Sequence, residues 1–343
     1  MLTLTHNTLE FSFPDVHPDA KCSIDFQRTL RIPDDNQKYS LPPGFGSFPL
    51  LHVEDYASTT PKTWQERGGV FLPMYQAEAL WVGLGGRWGD NNYPCAVKIA
   101  AGKINAVTGE PWKNSLSADP QDYVVIPRQP WLDGFCVGDG LIRQFVAMPL
   151  GEGFTAEEQL TGKADFGGIQ ICVYPMKRER YEKLFYPRRH SRSHSWSQEE
   201  VCYDMSSCMQ YSDDDFMGLA PGGLMTQEIY GDVVYGIDAW DTAAMSRCFV
   251  HLANSKQYLD ITGHIPPTKP PSAKEYTDAG MPWFDYYAAD KVALKGAKTL
   301  AELDSIAAKE IKLGQKVLDE NEPVNPTQIV SIGTENHVND GTW

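Results

Sequence analysis

The residues best equipped for chemistry crowd into one stretch. Lys177 to His194 is rich in cations and histidines, and Asp204 to Asp241 is rich in carboxylates. His190 and His194 stand four residues apart. On a helix that spacing would put both imidazoles on one face, as a pair of metal ligands requires. Pro187 and the serine–arginine alternation argue against a stable helix, and the glutamate of an HExxH site is missing. Cys202 and Cys208 offer thiolates suited to zinc, but not at a zinc-knuckle spacing. A zinc site built from His190, His194, Cys202 and Cys208 is therefore the lesser reading, and no metal or other cofactor is favoured. The leading reading of Tyr186 to Trp196 is a mobile surface loop that orders on an acidic or polar partner. Arg188, Arg189 and Arg192 would present charge there, and too little apolar area is available to offset the entropy of ordering alone.

The carboxylates form a second set. Asp213, Asp214 and Asp215 are contiguous and do not follow the alternating oxygen-ligand spacing of an EF-hand. Glu228, Asp232, Asp238 and Asp241 are interleaved with aromatic and glycine residues. Two of them could divide acid and base roles if burial separated their pKa values. Joined to His190 or His194, they would suit a hydrolase in which histidine shuttles a proton and a serine or water supplies the attacking oxygen. No local motif marks Ser191, Ser193 or Ser195 as a nucleophile. Gly83-Leu84-Gly85-Gly86 lacks both the lysine of a Walker loop and the full dinucleotide fingerprint. Trp88, Trp196 and Trp240 are candidate aromatic contacts for a partner, against the alternative that tryptophans fill the core. The segments QPWLDGF (from Gln129), MTQEIYGD (from Met225) and MPWFDYY (from Met281) are distinctive in composition but match no motif with an assigned activity.

The elements that must position these groups follow from composition and patterning. The chain of 343 residues is 42% hydrophobic with a formal charge of −15, so it can bury a substantial core and disfavours duplex nucleic acid. No run approaches the roughly 20 apolar residues of a membrane helix. Met1 to Pro14 lacks the pattern of a secretory signal, and the seven cysteines form no CxxC pair. A reduced, cytoplasmic setting is expected, with Cys136 and Cys172 as buried thiols in strand-like runs.

Strands are predicted at Ser23–Ile32, at Tyr123–Ile126, in IQICVYP from Ile169, and at Arg247–Leu252, and the stretch interrupted by Pro73 reads as two short strands or as a strand and a helical turn. Hairpins are predicted about Ala101-Gly102 and Gly138-Asp139-Gly140, where glycine supplies positive φ at little steric cost. Phe45 and Phe48 are expected to pin the Pro- and Gly-rich segment from Leu41. Thr155 and Glu158 have the spacing of a capping box. Helices are predicted over Met176–Phe185 and Leu300–Leu318, the latter with an apolar stripe through Leu303, Ile306, Ala307, Ile311 and Leu318.

Together these features predict an α+β protein: a predominantly antiparallel β-rich body over residues 1–265, and a helical C-terminal region, 266–343, packed on it. The aromatic and charged candidates outnumber any coherent catalytic motif. The leading expectation is a soluble non-catalytic binding, interaction or structural protein recognising a protein or small polar ligand, with self-association open and membrane insertion not expected. A histidine–carboxylate hydrolase is the alternative, and a zinc-binding protein ranks below it.

Overall fold

The computed structural model describes residues 1–85, 93–185, 216–287 and 291–333. Two large sheets carry the fold. The ten-stranded sheet runs in the spatial order Leu2–Thr5, Thr8–Ser12, Lys21–Thr29, Ala79–Leu84, Leu141–Pro149, Met217–Thr226 and Lys38–Tyr39. Short strands at Trp131–Leu132, Gly134–Gly138 and Gly44–Ser47 pair off this path. The seven-stranded sheet runs Ile104–Asn105, Cys95–Ala101, Ile169–Pro175, Ser246–Ala253, Val70–Pro73 and Leu51–His52, with Val124–Ile126 also on Cys95–Ala101. Most pairings are antiparallel. Three are parallel: Met217–Thr226 with Lys38–Tyr39, Ser246–Ala253 with Val70–Pro73, and Trp283–Tyr287 with Ile329–Gly333. In each of these the partners are far apart in sequence, so no tight turn imposes antiparallel direction. The chain is thus β-rich α+β with mixed sheets.

Both hairpins form at their glycines. Ile104 faces Ala101 across Gly102 (φ 56°), and Leu141 faces Gly138 beside Gly140 (φ 61°). Pro73 ends Val70–Pro73, and Ala79–Leu84 follows as a separate strand. The capping box at Thr155 and Glu158 starts the helix Ala156–Thr161. Phe48 is buried, whereas Phe45 is exposed and packs edge-to-face with Tyr276.

One hydrophobic core draws on both sheets. Ile24, Phe26, Val82 and Leu84 come from the first, and Val97, Ile99, Ile171, Val173, Val250 and Leu252 from the second. Strand alternation then turns Lys98, Gln170, Cys172, Tyr174, Arg247, Phe249 and His251 to the opposite, outer face of the second sheet.

The late helical pattern is split. Lys298–Ala301 and Ile306–Leu313 are separate helices, because Ser305 caps the second by accepting from Ala308 N and Gly314 closes it at φ 69°. Asp34 also reaches this cap, its Oδ2 accepting from Ala307 N at 2.8 Å. Leu303, Ile306 and Ala307 are buried, but Ile311 is 67% exposed and leaves the expected stripe incomplete. The C-terminal residues join the main core through Tyr276, Trp283, Leu300 and Val324, and they contribute the parallel strand pair that periodicity did not reveal. Among the described residues, no helix is long and apolar enough to cross a membrane.

Candidate functional site

The outer face of the second sheet is covered at both ends and open between them. At one end, Trp64 of the helix Lys62–Arg67 stacks on His251 with ring centroids 4.6 Å apart, and Phe249 also stacks on that imidazole, at 4.5 Å. Val53, Phe71, Tyr258 and Ile261 complete this apolar cap. Burial pushes the His251 imidazole down to about 3, and Nε2 lies 3.0 Å from Gly68 O. The neutral ring therefore donates to that carbonyl and has no proton to shuttle near neutral pH.

The opposite cover is the loop around residues 110–122, pinned from beneath. Lys98 Nζ donates to Asp122 Oδ2 at 2.5 Å and to Ser115 O at 2.7 Å, and it lies 5.4 Å from the centre of the Trp112 ring. Asn105 Nδ2 donates to Asp122 O, and Asp122 Oδ1 accepts from Ser117 N. Tyr174 Oη donates to Asn114 O, and Trp112 Nε1 donates to Asn114 Oδ1. A loop so held presents Trp112 in a fixed place.

Between the covers lies an open cleft of about 520 Å³, lined by Arg67, Trp112, Phe166, Gln170, Met245 and Phe249 together with Arg247 and neighbouring backbone. Sheet register builds its floor. Lys98, Cys172 and Arg247 are cross-strand neighbours in one row, and Ala100, Gln170 and Phe249 in the next. Arg67 closes one wall. It donates to Phe166 O and Asp165 O, and its guanidinium carbon sits 4.5 Å from the Phe166 ring centre and 5.4 Å from that of Phe249. Lys103 Nζ lies 3.7 Å from the Phe166 ring centre. Gly168 lets the chain come this close: a Cβ there would meet Val250 O at 2.5 Å.

The sequence-predicted residues fall elsewhere or serve the frame. His190, His194, Arg188, Arg189, Arg192, Trp196, Cys202, Cys208 and Trp88, with the loop expected at Tyr186–Trp196, lie outside the described residues. Trp240 is 1% exposed, and its indole N–H is spent on Asp232 Oδ2, so it offers no face to a partner. Asp232 also accepts from Tyr123 Oη at 2.9 Å and from Tyr235 N. Asp241 accepts from Ala243 N and Ala244 N, shaping the turn that delivers Met245 to within 3.8 Å of Cys172 Sγ. Asp238 is exposed on a short 3-10 turn. Glu228 is half-buried, on the segment bonded to Gln129 rather than beside Asp232. Among the described residues, no cluster of three or more His, Cys, Asp or Glu could hold a metal.

The three segments of distinctive composition do converge. Gln227 Nε2 donates to Asp133 Oδ2 at 2.6 Å, and Asp133 N donates back to Gln227 Oε1. Gln129 accepts from Tyr230 N and donates to Glu228 O and Trp131 O. Tyr286 packs edge-on against Trp131 at 4.8 Å. Burial pushes the Asp133 carboxyl up to about 7. The hollow between Gln129, Trp131, Gln227, Glu228 and Tyr286 measures only about 10 Å³, the room of a single water, so this is a structural junction. A second large opening, about 510 Å³, is rimmed by Glu10, Asp19, Lys21, Cys22 and Gly85, and Gly85 borders the undescribed residues.

Arg67, Phe166, Gln170, Arg247 and Phe249 were not foreseen as a site. Their one sequence signal is polar and aromatic residues at alternate positions of otherwise apolar strands, as in Gln170 and Cys172 or Arg247 and Phe249. No protein-family model, curated protein or solved structure matches the chain.

Proposed function

We propose that this is a non-catalytic binding protein that takes a small polar ligand in the open cleft of the second sheet. The observation that carries this reading is the cleft itself: about 520 Å³, with aromatic walls and polar groups on a pinned frame. That volume lies within the roughly 300–1,000 Å³ of small-molecule sites, and fixed aromatic walls with few polar groups are their usual lining. The nearby histidine is neutral and hydrogen-bonded to backbone, and Asp232 and Asp241 are engaged in internal hydrogen bonds. These features favour binding over acid–base chemistry at this face.

The test is a ligand-observed NMR screen of small polar molecules of both charge signs against the full chain and against a W112A/F249A double variant. Hits that vanish in the variant support the reading. If no fragment binds, or if every hit survives the double substitution, the cleft is not a ligand site.

A further inference from the structure

Resting on the reading of the cleft as a small-ligand site, we infer that its ligand is a compact anion joined to a flat ring. The carboxylate or phosphate head is held by Arg247, and the ring lies against Trp112 and Phe249.

The sign of the charge comes first. The chain carries 45 carboxylates against 30 Lys and Arg, yet the ten residues lining the cleft include two arginines and no Asp or Glu. A local reversal of sign on an acidic surface concentrates anions where the rest of the molecule repels them.

The hydrogen-bond inventory then selects one cation. Lys98, in the same cross-strand row, is buried and neutralised by Asp122. Arg67 already donates to Phe166 O and Asp165 O and is stacked on two rings. Arg247 is exposed, and among the described residues it makes no ion pair or side-chain hydrogen bond. Its planar fork matches two oxygens of a carboxylate or phosphate at once.

The remaining groups suit a ring. Trp112 is fixed by the pinned loop, and Phe249, stacked on His251 and flanked by Arg67 but only half-buried, is the register neighbour of Gln170 on the floor. Gln170 Nε2 donates to Gly102 O at 2.6 Å, which orients its amide and leaves Oε1 to accept from a ring N–H or hydroxyl.

Calorimetry on the full chain with 2-naphthoate, adenosine 5′-monophosphate and the neutral 2-naphthamide decides the matter. At least one anion should bind saturably, and naphthamide should bind about tenfold or more weakly. R247Q should lower anion affinity by about tenfold and R247K by less. Circular dichroism checks that each variant is folded. Binding by naphthoate alone identifies a carboxylate head, and binding by the nucleotide alone identifies a phosphate head. Naphthamide binding as tightly as naphthoate, or R247Q binding anions unchanged, would overturn the anion while leaving the cleft a ligand site. Neutral fragments entering the cleft with neither anion bound would do the same. Failure of all three probes and of the wider screen removes both conclusions.

Discussion

Lys98 Nζ and Asp122 Oδ2 stand 2.5 Å apart in the interior, with Lys98 1% exposed in the middle of a strand and Asp122 on the loop that crosses above it. The pair ties the loop carrying Trp112 to the sheet. Removing one charge strands the other away from water, so K98M should destabilise the protein by about 3–5 kcal/mol. Urea unfolding of K98M and of a K98M/D122N variant measures this. The double variant should recover part of the loss, and equal losses in both would argue against charge pairing as the cause.

Asp133 gives the stability a pH dependence of known sign. Its carboxyl is raised from 3.8 to about 7 by burial, so the folded state holds a proton that the unfolded chain has released. Its stabilising contribution is complete below about pH 4 and is lost as pH rises through about 7, at up to roughly 1.4 kcal/mol per pH unit. D133N keeps an acceptor for Gln227 and has no proton to lose. Across that window its stability should fall less with pH than that of the natural chain. Parallel pH profiles would show that the proton on Asp133 has no such role.

His251 acts in the opposite sense. Its pKa falls from 6.5 to about 3 on burial, so unfolding takes up a proton between those values and stability rises with pH across the same interval. Of the eight histidines in the chain, His251 should show no ring titration between pH 5 and 8 by NMR. A midpoint near 6.5 would mean that the ring between Trp64 and Phe249 is open to water.

Four of the five described thiols should be inert. Burial raises Cys95 and Cys172 above their usual range and pushes Cys136 and Cys248 up to about 12. Iodoacetamide at pH 8 should leave these four unmodified in the native protein and alkylate them in urea, as read by peptide mass spectrometry. Rapid native alkylation of Cys172 would show that Met245 does not seal it from the cleft.

Local chemistry made the hairpins legible. Gly102 and Gly140 occupy positive φ, a property written in the residue itself. The late helix was legible in type but not in continuity, since its interruption involves the Ser305 cap and a bond from Asp34, remote in sequence. The cleft was least visible. Gln170 meets Phe249, and Cys172 meets Arg247, through a register that neither strand reveals alone. Trp240 misled for a related reason: whether an indole faces outward depends here on Asp232 taking its N–H. Gln129, Gln227 and Asp133 show the same limit, for their segments stood out in composition while their meeting depended on the fold.

The segment from Gln227 to Asp232 is held by glutamine side chains as well as by backbone bonds to Gly140, Val292 and Leu294. Gln129 accepts from Tyr230 N and Gln121 accepts from Asp232 N, while the same two amides donate to Glu228 O and Tyr230 O. An ordinary ladder bonds through peptide groups and tolerates almost any side chain. Here the alignment is encoded in residue identity: glutamate lacks the donor, and methionine lacks the donor and offers only a weak sulfur acceptor. Exchanging either residue would erase an address in the chain, leaving the backbone bonds to Gly140, Val292 and Leu294 and the buried Ile229 to hold the segment in register.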